Sequence, residues 1–335
     1  MSTNLYFSFI VPVYNRKEEL GELLSTISNQ DFKEPFEVII VDDGSTVRSK
    51  DLVDSFTERL DLSYYYKENS GPGDSRNFGM KKAKGNYFII LDSDCLLPEN
   101  YLTVVSETLE KRYTDAFGAP DTAHPSFTRI QKAINFSMTS FITTGGLRNE
   151  ESKNRKFQLR SFNMGISKTV FEKTGGFSNQ YIGEDIELTM RIWNMGFTTQ
   201  FIPDAFLYHK RRTNFKQFFK QTNNFGAARP ILNELYPKSK KITYWFPSLF
   251  VLFSLSSVIV YLFGIELPLK LTLGYLLLIF FDSTFENKNM LTGLLSVLTT
   301  LIQFFGYGLG FLRTTFRKNV LGQDNQTAFP NMFAR

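Results

Sequence analysis

Two aspartates, Asp92 and Asp94, stand one residue apart at the end of an apolar run in GNYFIILDSDCLLPENYL. A buried strand gains nothing from two like charges at its tip unless the turn is solvated or a cation belongs between them. An acid-x-acid pair can hold a hard divalent ion through oxygen, and such an ion could bridge two phosphates. Acid-x-acid triplets are also common in turns, so the pair alone leaves both readings open. A second acidic pair, Glu184 and Asp185 in GEDIEL, begins a helical stripe of Leu188, Ile192 and Met195. A carboxylate there suits a general base and equally suits the positive end of the helix dipole.

The elements that must position these groups alternate in type. Residues 7–13 read as a buried strand closed by Pro12 and Asn15. Asn15, with Glu18 three residues on, predicts a capping box opening the first helix, striped by Leu20, Leu23, Leu24 and Ile27. A strand over 36–41 stops at DDGS, and Leu52, Val53, Phe56 and Leu60 stripe a second helix. A third strand over 62–66 leads through ENSGPGDSRNFG into a helix ending near Lys84. Strand–helix alternation with short connections predicts an α/β fold, a mostly parallel sheet with helices on both faces. Ligands of such sheets bind beyond the carboxyl ends of the strands, where PVYN, DDGS, ENSGPGDSRN and DSD all fall. Residues 113–210 are less regular.

Bulk composition narrows the classes. The 335 residues carry 38 Lys and Arg against 33 Asp and Glu, and the excess is local: Lys210, Arg211, Arg212, Lys216 and Lys220, then Lys238, Lys240 and Lys241. That cluster precedes an almost charge-free block, which fits a face held near anionic phosphates. No nucleic-acid motif accompanies it, so nucleic acid is not expected as a partner. The single cysteine, Cys95, rules out an intrachain disulfide and a Cys-rich zinc site. No signal peptide is read at the N-terminus. Residues 213–236 alternate Phe with basic and amide residues, as in a helix lying at a membrane interface. Runs over 245–265 and 290–312 are long enough to cross a bilayer; 267–281 is shorter and is expected as a re-entrant middle. Basic residues at both ends of the block then place both ends in the cytoplasm.

The stretches FIVPVYNRKEELGELLSTISNQ, EVIIVDDGSTVRSKDL, NSGPGDSRNFGMKKAKGNYFIILDSDCLLPENYL, FNMGISKTVFEKTGGF and YIGEDIELTMRIWNMGF occur in this order over about residues 7–200. Together they resemble the inverting, GT-A-fold (Rossmann-like) glycosyltransferases of family 2. The tail, with YHKRRTNFKQFFKQTNNFGAARP and the hydrophobic segments, is similar to the membrane-attached branch exemplified by succinoglycan biosynthesis transferases.

The resemblance implies a nucleotide-diphosphate-sugar donor, a UDP-sugar in preference, at the sheet's carboxyl edge. Pro12, Val13, Tyr14 and Asn15 would line the base, and Asp43 would accept from its imide N–H. The alternative for Asp43 is a turn acid capping the next helix. Gly71 and Gly73 would let the backbone approach the donor. Arg76 would grip phosphate or serve as a surface ion-pair residue. Asp92 and Ser93 would contact the donor, and Asp94, with Asp92, would ligate Mg²⁺ or Mn²⁺. His209 is a further ligand candidate or else a histidine satisfied by neighbouring groups. Asp185 would be the base and Glu184 its neighbour orienting the acceptor. Asn163, Gln221 and Arg229 are candidates for acceptor or diphosphate contact. The tail lacks the Gln-x-x-Arg-Trp motif of processive synthases, which argues against chain elongation.

The resulting expectation is a cytoplasmic catalytic domain over 1–212, an interface segment over 213–242, transmembrane helices over 243–315 (two or three spans) and a tail over 316–335. It would transfer one sugar to a hydroxyl of a lipid-linked or envelope glycan as a multi-pass membrane protein, in the inner membrane if bacterial. A polyprenyl-phosphate sugar synthase and a catalytically silent nucleotide-sugar-binding scaffold are the alternatives.

Overall fold

The computed structural model describes residues 5–145 and 157–333. Its first unit comprises, of these, residues 5–122 and 157–209. Ten strands run in chain order: β1 Phe7–Val13, β2 Glu37–Asp42, β3 Asp61–Tyr66, β4 Tyr87–Leu91, β5 Cys95–Leu96, β6 Ala116–Gly118, β7 Asp121–Thr122, β8 Asn163–Ser167, β9 Thr199–Phe201 and β10 Leu207–His209. Seven form one sheet in the order β3-β2-β1-β4-β8-β6-β9. Pairing is parallel from β3 through β4; only β8 runs against its neighbours β4 and β6. The α/β expectation therefore holds, with one reversed strand in a mostly parallel sheet.

β1, β2 and β4 are buried along their whole length, because both faces of the sheet are covered. Phe7, Phe9, Val11 and Val13 pack on one side with Leu20, Leu23, Leu24 and Ile27 of the first helix. Ile10, Ile39 and Val41 pack on the other with Met80, Leu188 and Ile192. Continuous apolar runs are what a doubly covered parallel strand requires. A small second sheet, β5-β10-β7, stands apart from the large one.

The second unit comprises residues 123–145 and 210–333 among those described. Three of its helices are long and apolar enough to cross a membrane: Ile242–Tyr261, Leu267–Asn287 and Met290–Asn319. The middle one is an unbroken 21-residue helix, longer than the 267–281 run from which a re-entrant piece is expected. The charges that shorten its apolar run do not interrupt it; Asp282, near its end, accepts from Ser140 Oγ at 3.3 Å.

The helix Phe215–Leu235 runs alongside the long terminal helix. Asn223 Nδ2 donates to the Gly306 carbonyl (3.0 Å), and Lys318 pairs with Glu234 (2.8 Å). A Cβ on Gly226 would strike the Tyr307 carbonyl, and one on Gly310 the Asn223 carbonyl. Small residues thus set this close approach, as they do where helices pack without a solvent-driven gain. Phe218 is buried in the contact while Phe219 and Phe225 stay exposed.

Candidate active site

The turns after β1 and β2 are tied together. Asn15 adopts a left-handed backbone, φ 53°, which Asn tolerates better than most residues. Its Oδ1 accepts from the Thr46 N–H and hydroxyl, each at 2.9 Å, and its own N–H donates to Ser45 Oγ at 2.9 Å. The amide is therefore committed across the turn. The helix Lys17–Ser28 starts without a side-chain cap, which corrects the capping-box expectation. Tyr14 stands half exposed beside this turn, and Pro12 and Val13 are buried in β1.

The two acids of DDGS divide the work. Asp42 holds the turn itself, accepting from the Ser45 N–H (2.9 Å) and the Tyr64 hydroxyl (2.6 Å). Burial, with that bond to Asp42, pushes the Tyr64 phenol up. Asp43 reaches forward to the loop after β3. It accepts from Lys67 Nζ (2.6 Å) and from the N–H groups of Ser70 (3.0 Å) and Gly71 (2.9 Å). Gly71 needs its positive φ of 99° for this turn, and the Tyr181 ring lies 2.6 Å from where a Cβ would stand.

The helix Pro72–Lys82 then presents Arg76, almost wholly buried. Its guanidinium donates to Asp92 at 2.7 Å and to Glu184, and lies over the Phe177 ring at 5.1 Å. The sequence reading offered a phosphate grip or a surface ion pair; among the described residues Arg76 is a buried cation shared by two carboxylates. Burial pushes the Glu184 carboxyl up to about 7, against the pull of Arg76 and with a further push from Asp185.

Gly73 makes this cluster possible. A Cβ there would lie 2.5 Å from Glu184 Oε2 and 3.3 Å from Phe177 Cβ. Gly73→Ala is expected to displace Glu184, destabilise the chain by about 1–3 kcal/mol and cut turnover at least tenfold, on the order of one misplaced group. Denaturation midpoints with steady-state rates check this; unchanged values for both would contradict it.

Asp185 sits beside Glu184 at the start of the helix Glu184–Asn194 and is only partly buried. Its Oδ1 accepts from the Ile186 N–H at 2.8 Å. One carboxylate of the pair is thus sealed against Arg76, and the other is partly exposed.

Asp94 lies at the opposite side of the acid pair. Arg16 donates to its Oδ2, and His209 Nε2 lies 3.2 Å from its Oδ1. Asp94, Cys95 and His209 place one ligand atom each within 4.8 Å of one another. Cys95 fits poorly as a ligand for a hard ion: burial pushes its thiol well up, and Sγ faces the Phe162 carbonyl at 3.7 Å. The carboxylate oxygen of Asp94 fits Mn²⁺ or Mg²⁺, and the imidazole of His209 suits Mn²⁺ better than the harder Mg²⁺. Asp92, expected as a second ligand, is engaged by Arg76 instead. Ser93 between them is buried.

The three candidates for acceptor or diphosphate contact have partners of their own. Asn163 is fully buried; its amide donates to the Pro120 and Ala205 carbonyls and its oxygen accepts from Tyr101. Gln221 and Arg229 belong to the second unit, where the Arg229 guanidinium lies 4.2 Å from the centre of the Tyr244 ring. Arg16, Lys67 and Asp121, which the sequence reading did not single out, all touch site residues. Only the position of Arg16 and Lys67 at strand ends could have flagged them.

The family model for glycosyl transferase family 2 matches residues 8–175, half of the chain. The chain belongs to glycosyl transferase family 2. The probable glycosyltransferase YdaM of Bacillus subtilis is 24% identical over 298 residues, 81% of this chain and 69% of that protein. The GalNAc(5)-diNAcBac-PP-undecaprenol beta-1,3-glucosyltransferase of Campylobacter jejuni is 26% identical over 229 residues, 66% of this chain and 68% of its own. The chain spans only 25% and 20% of two longer relatives. Among solved structures, mannosyltransferase PcManGT from Pyrobaculum calidifontis, in complex with GDP-Man and Mn²⁺, aligns with TM-score 0.58 and 17% identity over 92% of this chain and 87% of that one. At that identity the likeness is one of fold, and it agrees with the GT-A expectation.

Proposed function

We propose that this family 2 glycosyltransferase is a metal-dependent, inverting, membrane-attached enzyme. It moves one sugar from a nucleotide-diphosphate-sugar to a hydroxyl of a lipid-linked or envelope glycan. The observation that carries this reading is the chain of contacts from Glu184 through Arg76 to Asp92, next to Asp94 and His209. It supports a reading in which Asp185 and Asp94 serve one donor sugar.

Asp94 and His209 would hold Mn²⁺ or Mg²⁺, which supplies Lewis-acid stabilisation of the leaving diphosphate. Asp43 and Lys67 shape the loop at the base end, and Gly71 and Gly73 keep the backbone clear. Asp185 takes the proton of the acceptor hydroxyl as its oxygen bonds to the anomeric carbon. The bond to the nucleoside diphosphate breaks on the opposite face, which inverts the configuration. Arg76 and Glu184 hold Asp92 and Asp185 in fixed relation. A sealed ion pair at this place is a positioning device, because breaking it would strand a buried charge.

Membrane attachment is supported by the three long apolar helices and by the undecaprenol-linked acceptor in the name of the Campylobacter relative. Lys238, Lys240 and Lys241 precede the first helix and favour a cytoplasmic catalytic unit.

The test is a panel of UDP- and GDP-sugars given to purified full-length chain in native lipid, read by nucleoside-diphosphate release and by product stereochemistry. The expected result is one preferred donor and an inverted, acid-stable glycoside. Release of the transferred sugar as a free monosaccharide by mild acid would identify a polyprenyl-phosphate sugar synthase, and donor binding without turnover a silent scaffold.

A further inference from the structure

The small sheet β5-β10-β7 holds His209 between two acidic segments. Antiparallel pairing sets His209 opposite Cys95, the residue after Asp94, and parallel pairing sets Leu207 opposite Asp121. The imidazole is confined on three sides. Its face stacks on Phe162 at 4.6 Å and 26°. Nε2 lies 3.2 Å from Asp94 Oδ1, and Nδ1 lies 3.9 Å from Asp121 Oδ2. The Asp121 side chain is 7% exposed.

A neutral imidazole carries its proton on one nitrogen only, so the neighbour of one nitrogen decides what the other can do. A proton on Nε2 would point at Asp94 and block that nitrogen as a ligand. A proton on Nδ1 would point at Asp121 and leave the Nε2 lone pair aimed at the Asp94 carboxylate. Histidines that ligate metals usually donate their second N–H to a carboxylate or carbonyl, which fixes both tautomer and ring angle. Closing the 3.9 Å separation to hydrogen-bond length takes about 1 Å of side-chain movement.

We propose that Asp121 is the positioning residue of the cation site: its carboxylate takes the Nδ1–H of His209 and so presents Nε2, beside Asp94, to a divalent cation. This rests on the metal-dependent reading above. It adds a residue that lies outside the acid pair, reaches the site through the small sheet, and touches neither donor nor acceptor. Phe162 supplies a flat wall along one face of the ring.

The experiment uses the full chain in lipid nanodiscs, with Mn²⁺ alone as the probe and ¹⁵N-labelled histidine as the second readout. The chain has only two histidines, so His124→Asn leaves a single imidazole to observe. The expected spectrum of His209 is the Nδ1-protonated tautomer. Asp121→Ala should weaken Mn²⁺ binding about 10–100-fold and mix the tautomers. Asp121→Asn, which keeps an acceptor oxygen, should lose less. An Nε2-protonated ring in the unsubstituted chain, or Mn²⁺ affinity for Asp121→Ala within about twofold of it, would overturn the proposal. Should Asp121→Ala fail to fold, the tautomer of the unsubstituted chain and the Asp121→Asn affinity decide. Asp94→Ala serves as the control: unaltered Mn²⁺ binding there would remove the metal reading itself, while the tautomer still reports on Asp121.

Discussion

Asp185→Asn is expected to lower kcat by about 10²–10⁴-fold, the range of a lost general base, with the donor KM little changed. The amide keeps the size and the hydrogen bond from the Ile186 N–H but cannot take a proton. Its neighbour is not placed to substitute, because Glu184 is buried and its Oε1 is held by Arg76. Two adjacent acids thereby acquire different roles from their surroundings. Membrane assays of sugar transfer at saturating donor check this, and a kcat within about tenfold of the unsubstituted enzyme would remove Asp185 as the base.

Asp94→Ala is expected to have the largest effect, abolishing Mn²⁺ binding and lowering turnover by at least about 10³-fold, several kcal/mol of transition-state stabilisation. The side chain is the common partner of Arg16 and His209. Its loss therefore removes the anionic centre and leaves two cationic or polar groups facing one another. Chelation of the unsubstituted enzyme should produce the same loss, reversed by added Mn²⁺; the variant should show no reversal. Turnover that survives both chelation and the substitution would refute a metal-dependent mechanism.

Much of this arrangement was legible from residue order. The apolar runs of β1, β2 and β4 end at polar clusters, and a doubly covered sheet gathers such ends on one edge. Hence Asp92, Asp94, Asp43 and Gly71 could be named from the chain. Partner choice could not. Asn15 reads as a cap because its spacing to Glu18 is right, yet the turn after β2 offered its amide better donors. The sequence leaves Arg76 between a phosphate grip and an ion pair; its carboxylate partners are 16 and 108 residues away, a separation that no local pattern encodes. Asp121 sits in a two-residue strand, too short to leave a periodic signal. In the second unit, Asp282 and Glu286 shorten the apolar run without breaking the helix, and Asp282 accepts from Ser140 Oγ.

The most direct measurement is a structure of the full chain with Mn²⁺ and a non-transferable nucleotide-sugar. Shared use of one sugar by the two acidic groups predicts the diphosphate at Asp94 and His209. It also predicts the Asp185 carboxylate on the face of the anomeric carbon opposite the leaving oxygen. A donor seated at Asp94 with Asp185 turned away from that face would contradict the mechanism.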